Sequence, residues 1–453
     1  MKDFPTERTP PGQAAARPRA ANHPRTDAAM TPEPALKRAA RFSLAWFAVA
    51  LSLTTANQLR IGPVGPGELM LLAWMAVRVA AMTVQRAVFV PREGRPVLLF
   101  WAGAVVLLLA GWLSKLLVVG IPQRNAAFYD TFAFTFTAGA IVLYILQRDL
   151  GVRVRATAAY MLPVQLLPLA FLMLARFAGV TGAGPLKFWY GARFTGLSSN
   201  PNQAALAILP IPLAALYFLA QSRTAGRKAW WAGIAGLAAL VGLATLSDGL
   251  VLAWAACAMM LATVLLYRIV SVRSGSILRQ GLMRVVIPVT LLGCAGAIVP
   301  PALAIATGKA EELSGSSQGS DRIHIWSNGL RAAASSPLVG LGPGAHSGHD
   351  APFEGFESHN TYIDWGASTG LLGVFMYLGL LCWAGFRAFR DRSAARLTIL
   401  LALVVFSTFH YVLRQPSFWF FLLVVAIAAE PAGGGGGHRA HSPRRALSPR
   451  PAP

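Results

Sequence analysis

Apolar residues run along this chain in long blocks separated by short polar or basic connections, and about twelve of the blocks reach roughly 17–25 residues, enough for a helix to cross a hydrocarbon core. They fall at 42–58, 64–82, 97–119, 130–147, 156–178, 201–221, 229–246, 249–267, 282–305, 361–385, 395–412 and 416–430. The pattern predicts an all-α polytopic membrane protein and excludes a soluble globular one. Residues 1–40 and 431–453 are rich in Pro, Arg, Ala and Gly without apolar periodicity, and are expected to be disordered tails. Between them the expected order is helices 1–9 in 41–305, a long loop with an amphipathic helix in 306–360, and helices 10–12 in 361–430. The first apolar block begins near Phe42, too late for a cleavable leader.

Composition agrees, with 55% hydrophobic and 13% charged residues and a mean hydropathy of +0.52. The net charge of +22 raises the question of nucleic acid, and its distribution decides against it. Lys and Arg gather in both tails and in loops 83–96, 148–155, 222–228, 268–281 and 386–394, which all lie on one side if the N-terminal tail is cytoplasmic. That is the positive-inside pattern, so both termini are expected in the cytoplasm, with the basic side favouring anionic membrane lipids. Cys257, Cys294 and Cys382 lie inside apolar blocks and are expected to be small buried hydrophobes.

The loop 306–360, on the outer side, is too long for a simple connection. It carries Glu311, Glu312, Asp321, Asp350, Glu354 and Glu357 against Lys309, Arg322 and Arg331. After Ser320 and Asp321, the stretch RIHIWSNGLRAAASS places Ile325, Gly329 and Ala332 on one stripe, and Pro337 with Gly340, Gly342 and Gly344 stops it. An amphipathic helix on the outer membrane face is expected, with Arg322 in its first turn, where the dipole disfavours a cation unless an anion is near. A salt bridge with Asp321 or Glu312 is the alternative. The three glycines suit a plain turn better than a phosphate loop.

Asn200 before Pro201 marks a helix start, with Arg193 just outside it at the outer interface, where it can face a ligand or snorkel to lipid phosphates. Ser358, His359 and Asn360 likewise open the tenth block, where serine and asparagine cap free amides and the helix field favours a neutral imidazole able to accept a proton. An interfacial capping role for His359 competes with a general base. Zinc on His346, His349, Asp350 and His359 has no recognisable ligand spacing, so no metal and no cofactor are expected. Gly366, Gly370 and Gly373 read as a flat packing face. Arg78, Lys115 and Arg176 lie inside apolar blocks and are expected at a cavity or a helix end, and His410 with Arg414 can reach the same outer cavity.

These pieces resemble the O-antigen ligase family. Its signature histidine, followed by Asn, Ser or Gln, nine residues and G-x-x-G, is matched by His359, Asn360, TYIDWGAST, Gly370 and Gly373, with Val374 departing from the usual following residue. A second element, Arg-x-x-x-Leu, is matched by Arg193 to Leu197. The resemblance implies a metal-independent inverting glycosyltransferase of GT-C-type architecture. It implies transfer of a glycan from undecaprenyl pyrophosphate to the lipid A core at the periplasmic face of the bacterial inner membrane, with His359 as base and Arg193, Arg322, Asn360 and Arg414 holding the donor pyrophosphate. A polymerase using a second lipid-linked glycan as acceptor, and a transporter of such lipids, are the alternatives.

Overall fold

The computed structural model describes residues 38–86, 88–118, 124–273, 317–345 and 357–428. The predicted ninth span at 282–305, the tails up to residue 37 and from residue 429, and His346, His349 and Asp350 lie outside these residues.

The chain is mostly helical. The helices are α1 (Arg38–Leu53), α2 (Pro66–Gln85), α3 (Arg95–Val118), α4 (Arg124–Ile145), α5 (Leu150–Ala175), α6 (Pro201–Ile208), α7 (Ile211–Gln221), α8 (Ala225–Ala244), α9 (Asp248–Arg273), α10 (Ser317–Ser335), α11 (Thr361–Arg390), α12 (Ala394–Ser407) and α13 (Pro416–Ile427). Among the described residues, seven segments are long and apolar enough to cross a membrane: 66–85, 92–118, 126–145, 150–178, 201–221, 248–267 and 361–390. The chain is therefore a multi-pass membrane protein; of the twelve expected spans, the one at 282–305 lies outside the described residues.

Breaks and short helices among the predicted spans have visible causes. The sixth predicted span divides into α6 and α7 because Pro210 and Pro212 each remove a backbone donor. Carbonyls at the break are taken up by neighbours: Gln165 Nε2 donates to Ala207 O at 3.0 Å and Trp254 Nε1 to Leu209 O at 3.1 Å. The last predicted span becomes α13, whose 12 residues are all buried. At about 1.5 Å per residue it is too short to cross alone, and a helix that is apolar all round belongs inside a bundle. α12, with 14 residues, is likewise shorter than a span.

α13 packs against α4, α5, α11 and α12, and α3 lies along α11. Aromatic rings fill that centre, with Trp101 and Trp419 at 4.6 Å and Phe100 and Trp365 at 5.9 Å between centroids. Cys257 is buried as expected, whereas Cys382 is exposed.

α11 holds the main irregularity. Gly370 sits at φ 66°, ψ −171°, so the helix is broken there, and this one glycine of the row read as a flat packing face breaks the backbone as well as admitting a close neighbour. The polar groups released at the break pair with the segment 337–342. Leu341 N donates to Ala367 O at 2.7 Å and Gly342 N to Ser368 O at 2.9 Å, while Leu371 N donates to Pro337 O at 2.8 Å. Backbone approaches this close admit no side chain: a Cβ on Gly340 would strike Ser368 and Thr369, and one on Gly342 would meet Trp112 of α3 at 2.5 Å. The turn predicted at these glycines is thus inserted among α3, α4 and α11.

Candidate functional site

The site is built around the turn that precedes α11. Asn360 is the N-cap, its side-chain oxygen accepting from Tyr362 N at 3.0 Å and Ile363 N at 3.3 Å. One turn into the helix, the fully buried carboxylate of Asp364 reaches back and accepts from Ser358 N at 2.9 Å and Asn360 N at 3.3 Å. His359 lies between these two clamped amides in a left-handed conformation, φ 51°. Few non-glycine residues adopt it, histidine being among the more tolerant. From behind, α10 closes on the turn at Gly329, where a Cβ would collide with Ser358 Oγ. The imidazole itself is half exposed, with Nδ1 4.0 Å from Glu357 Oε2 and its ring 6.3 Å from that of His410.

His359 faces a cavity of about 130 Å³ lined by Asn200, Asn202, Gln203, Leu206, Glu357, His410, Tyr411, Arg414 and Gln415. Three chain segments meet there: the start of α6, the turn before α11, and the connection from α12 to α13. The predicted cap at α6 is present, Asn200 Oδ1 accepting from Gln203 N at 2.9 Å ahead of Pro201. Arg193, at the end of a two-residue strand paired with Trp189–Tyr190, reaches this wall. Its Nη2 donates to Asn202 Oδ1 at 3.1 Å and its Nε to Thr245 O at 3.2 Å, at the C-cap of α8. Both acceptors are neutral, and among the described residues Arg193 makes no ion pair.

Arg414 is differently placed. It pairs with the buried Asp130 of α4 at 2.6 Å and with Glu357, so its charge is matched on two sides. Burial alone would lower its pKa, but the carboxylates of Glu357 and Asp130 outweigh that and hold it above the ordinary arginine value. Asp130 also accepts from Gly344 N at 2.8 Å, and Lys115 Nζ donates to Gly344 O at 3.2 Å. The inserted turn is thereby locked to the same ionic group that frames the cavity.

Of the expected catalytic and donor-binding residues, His359 and Arg414 both line the cavity and Arg193 is hydrogen-bonded to Asn202 on its lining. Asn360 does not line the cavity; its side chain is occupied as a cap. α10 begins at Ser317, so Arg322 stands in the second turn rather than the first, and its side chain lies outside those described. The apolar stripe of α10 is as read, with Ile325, Gly329 and Ala332 buried. Lys115 is buried on Gly344, and Arg176 caps the end of α5 over the Trp189 ring at 4.2 Å. Asp130 and Asp364 were hidden in apolar blocks. Gly340, Gly342 and Gly344 give their amide N–H groups to Ser336, Ser368 and Asp130, so none is left for a phosphate.

Residues 233–378 match the sequence model described as O-antigen ligase. Over these residues, about a third of the chain, the sequence is similar to that family. The matched segment contains α10, the inserted turn, His359 and the broken part of α11, while Arg193, the α6 wall and Arg414 lie outside it. No curated protein matches the chain. The family match supports an activity of the O-antigen ligase or polymerase type.

Proposed function

We propose that the chain is an O-antigen ligase that moves a glycan from an undecaprenyl pyrophosphate carrier to the lipid A core, at the periplasmic face of the bacterial inner membrane. The observation that carries this reading is His359, inside the family-matched segment, held on a cavity that also presents Asn202 with its bound Arg193. His359 removes the proton of the acceptor hydroxyl while that oxygen attacks the anomeric carbon and the carbon–oxygen bond to the diphosphate breaks. Glu357 stands 4.0 Å from the Nδ1 side of the imidazole, and Nε2 is assigned to the acceptor hydroxyl. Arg193, whose charge has no carboxylate partner among the described residues, meets the charge that grows on the leaving diphosphate, a task suited to a guanidinium fork. Arg322 is assigned to the same diphosphate. No metal or nucleotide enters this scheme.

Orientation follows from charge. Segments 89–95 and 149–152, with Arg387 and Asp391, border a second, separate crevice. These are the basic loops, so the positive-inside rule assigns that end to the cytoplasm and the His359 cavity to the periplasm. The test is reconstitution of the purified protein with lipid-linked glycan and either lipid A core or a second lipid-linked glycan. Glycosylation of the core is expected; extension of the second carrier-bound glycan in its place identifies a polymerase.

A further inference from the structure

The wall of the cavity facing away from the ionic group is made of side-chain amides. Asn200, Asn202 and Gln203 flank Pro201 and all line the space in front of His359. Their oxygens are already committed. Asn200 Oδ1 accepts from Gln203 N at 2.9 Å and Asn202 Oδ1 from Arg193 Nη2 at 3.1 Å, while Gln203 Oε1 accepts from Asn57 Nδ2 at 2.7 Å and Ser199 Oγ at 2.5 Å. Among the described residues, none of the three amide nitrogens has a protein acceptor. An amide whose oxygen is fixed has its NH2 direction fixed as well, because the group is planar. The wall therefore offers three N–H donor groups on amides whose oxygens already accept from the protein, beside a guanidinium with no ion pair among the described residues.

Such a surface takes ligand oxygens, and a charged oxygen takes it best, since hydrogen bonds to an ionised acceptor are about twice as strong as neutral ones. We infer that Asn200, Asn202 and Gln203 form, with Arg193, the binding site for the diphosphate oxygens of the donor lipid. Arg414 then serves as the framework of the opposite wall, its charge matched by Asp130 and Glu357. The inference rests on the ligase reading above. Neutral donors add affinity without holding the departing diphosphate as tightly as a second cation would.

The test exploits the committed oxygens. Asn202→Asp and Gln203→Glu keep every acceptor the protein uses and replace only the NH2 group, so folding is preserved. Gln203→Met removes the donor without adding charge. Inhibition of transfer by inorganic pyrophosphate and by free neutral glycan is measured for each, with binding of undecaprenyl pyrophosphate to the purified protein. Each variant, Gln203→Met included, is expected to weaken both pyrophosphate compounds by roughly tenfold or more and to leave the neutral glycan unchanged. Unchanged pyrophosphate inhibition in Gln203→Met, or a loss confined to the neutral glycan, overturns the assignment while leaving the ligase reading intact. Failure of the wild-type protein to bind undecaprenyl pyrophosphate at all overturns both.

Discussion

Arg414 and Asp130 lie 284 positions apart in sequence and 2.6 Å apart in the fold, one on the connection into α13 and the other near the start of α4. Because Asp130 is fully buried, this pair is the joint between the two halves of the cavity's ionic wall. Removing Arg414 takes the ion-pair partner at 2.6 Å away from a buried carboxylate. Arg414→Ala is expected to destabilise the protein by about 3–5 kcal/mol. Asp130→Asn combined with Arg414→Ala should recover part of that loss. Thermal unfolding of the detergent-solubilised variants measures both.

The same network has a defined pH behaviour. The pKa of Arg414 is raised, so its stabilising contribution is complete below the ordinary arginine pKa and persists at any usable alkaline pH. A lysine at this position loses its proton near pH ~10.4 unless it is shifted. Held by the same two carboxylates, Arg414→Lys should keep a constant offset from wild type below about pH 10 and lose further stability relative to it only as pH rises above that, a divergence read from paired melting curves.

Asp364 is placed to fix His359 without touching substrate. Asp364→Ala strands two buried N–H groups, at about 1–3 kcal/mol each at most, and releases the turn. The turnover number for glycan transfer is expected to fall by at least tenfold while the KM for donor lipid stays within about twofold, since the loss lies in orientation. Equal loss in both constants argues for general unfolding.

Gly370 and Gly366 predict opposite outcomes from the same substitution. At Gly370 the backbone is in a region closed to other residues and a Cβ would strike Leu338, so Gly370→Ala should sharply reduce folded yield. At Gly366 a Cβ would only touch the Val374 side chain at 3.4 Å, and Gly366→Ala should fold normally. Size-exclusion profiles of the two variants decide this.

How far the sequence carried can be judged from particular residues. Helix length and apolarity are local properties, so most of the spans were legible, as were the caps at Asn200 and Asn360, which depend on residue type and immediate position. Arg193 and His359 stood out because a polar group at the end of an apolar block costs free energy unless it has a use. Asp130, Asp364 and Glu357 were not singled out, because their partners are Arg414, a turn before the helix, and an imidazole, brought together only by the fold. The break at Gly370 was equally hidden: a glycine with helical spacing looks the same whether it packs a helix or breaks one. Only the inserted turn from 337 to 344, supplying the missing hydrogen bonds, distinguishes the two.

The central claim is that His359 takes the acceptor proton in a cavity that holds the donor. Its most direct test is the single-turnover rate of glycan transfer by purified His359→Ala, with donor-lipid binding measured on the same sample. A rate lowered by roughly 100-fold or more with binding retained is the predicted result; transfer at the wild-type rate would contradict it.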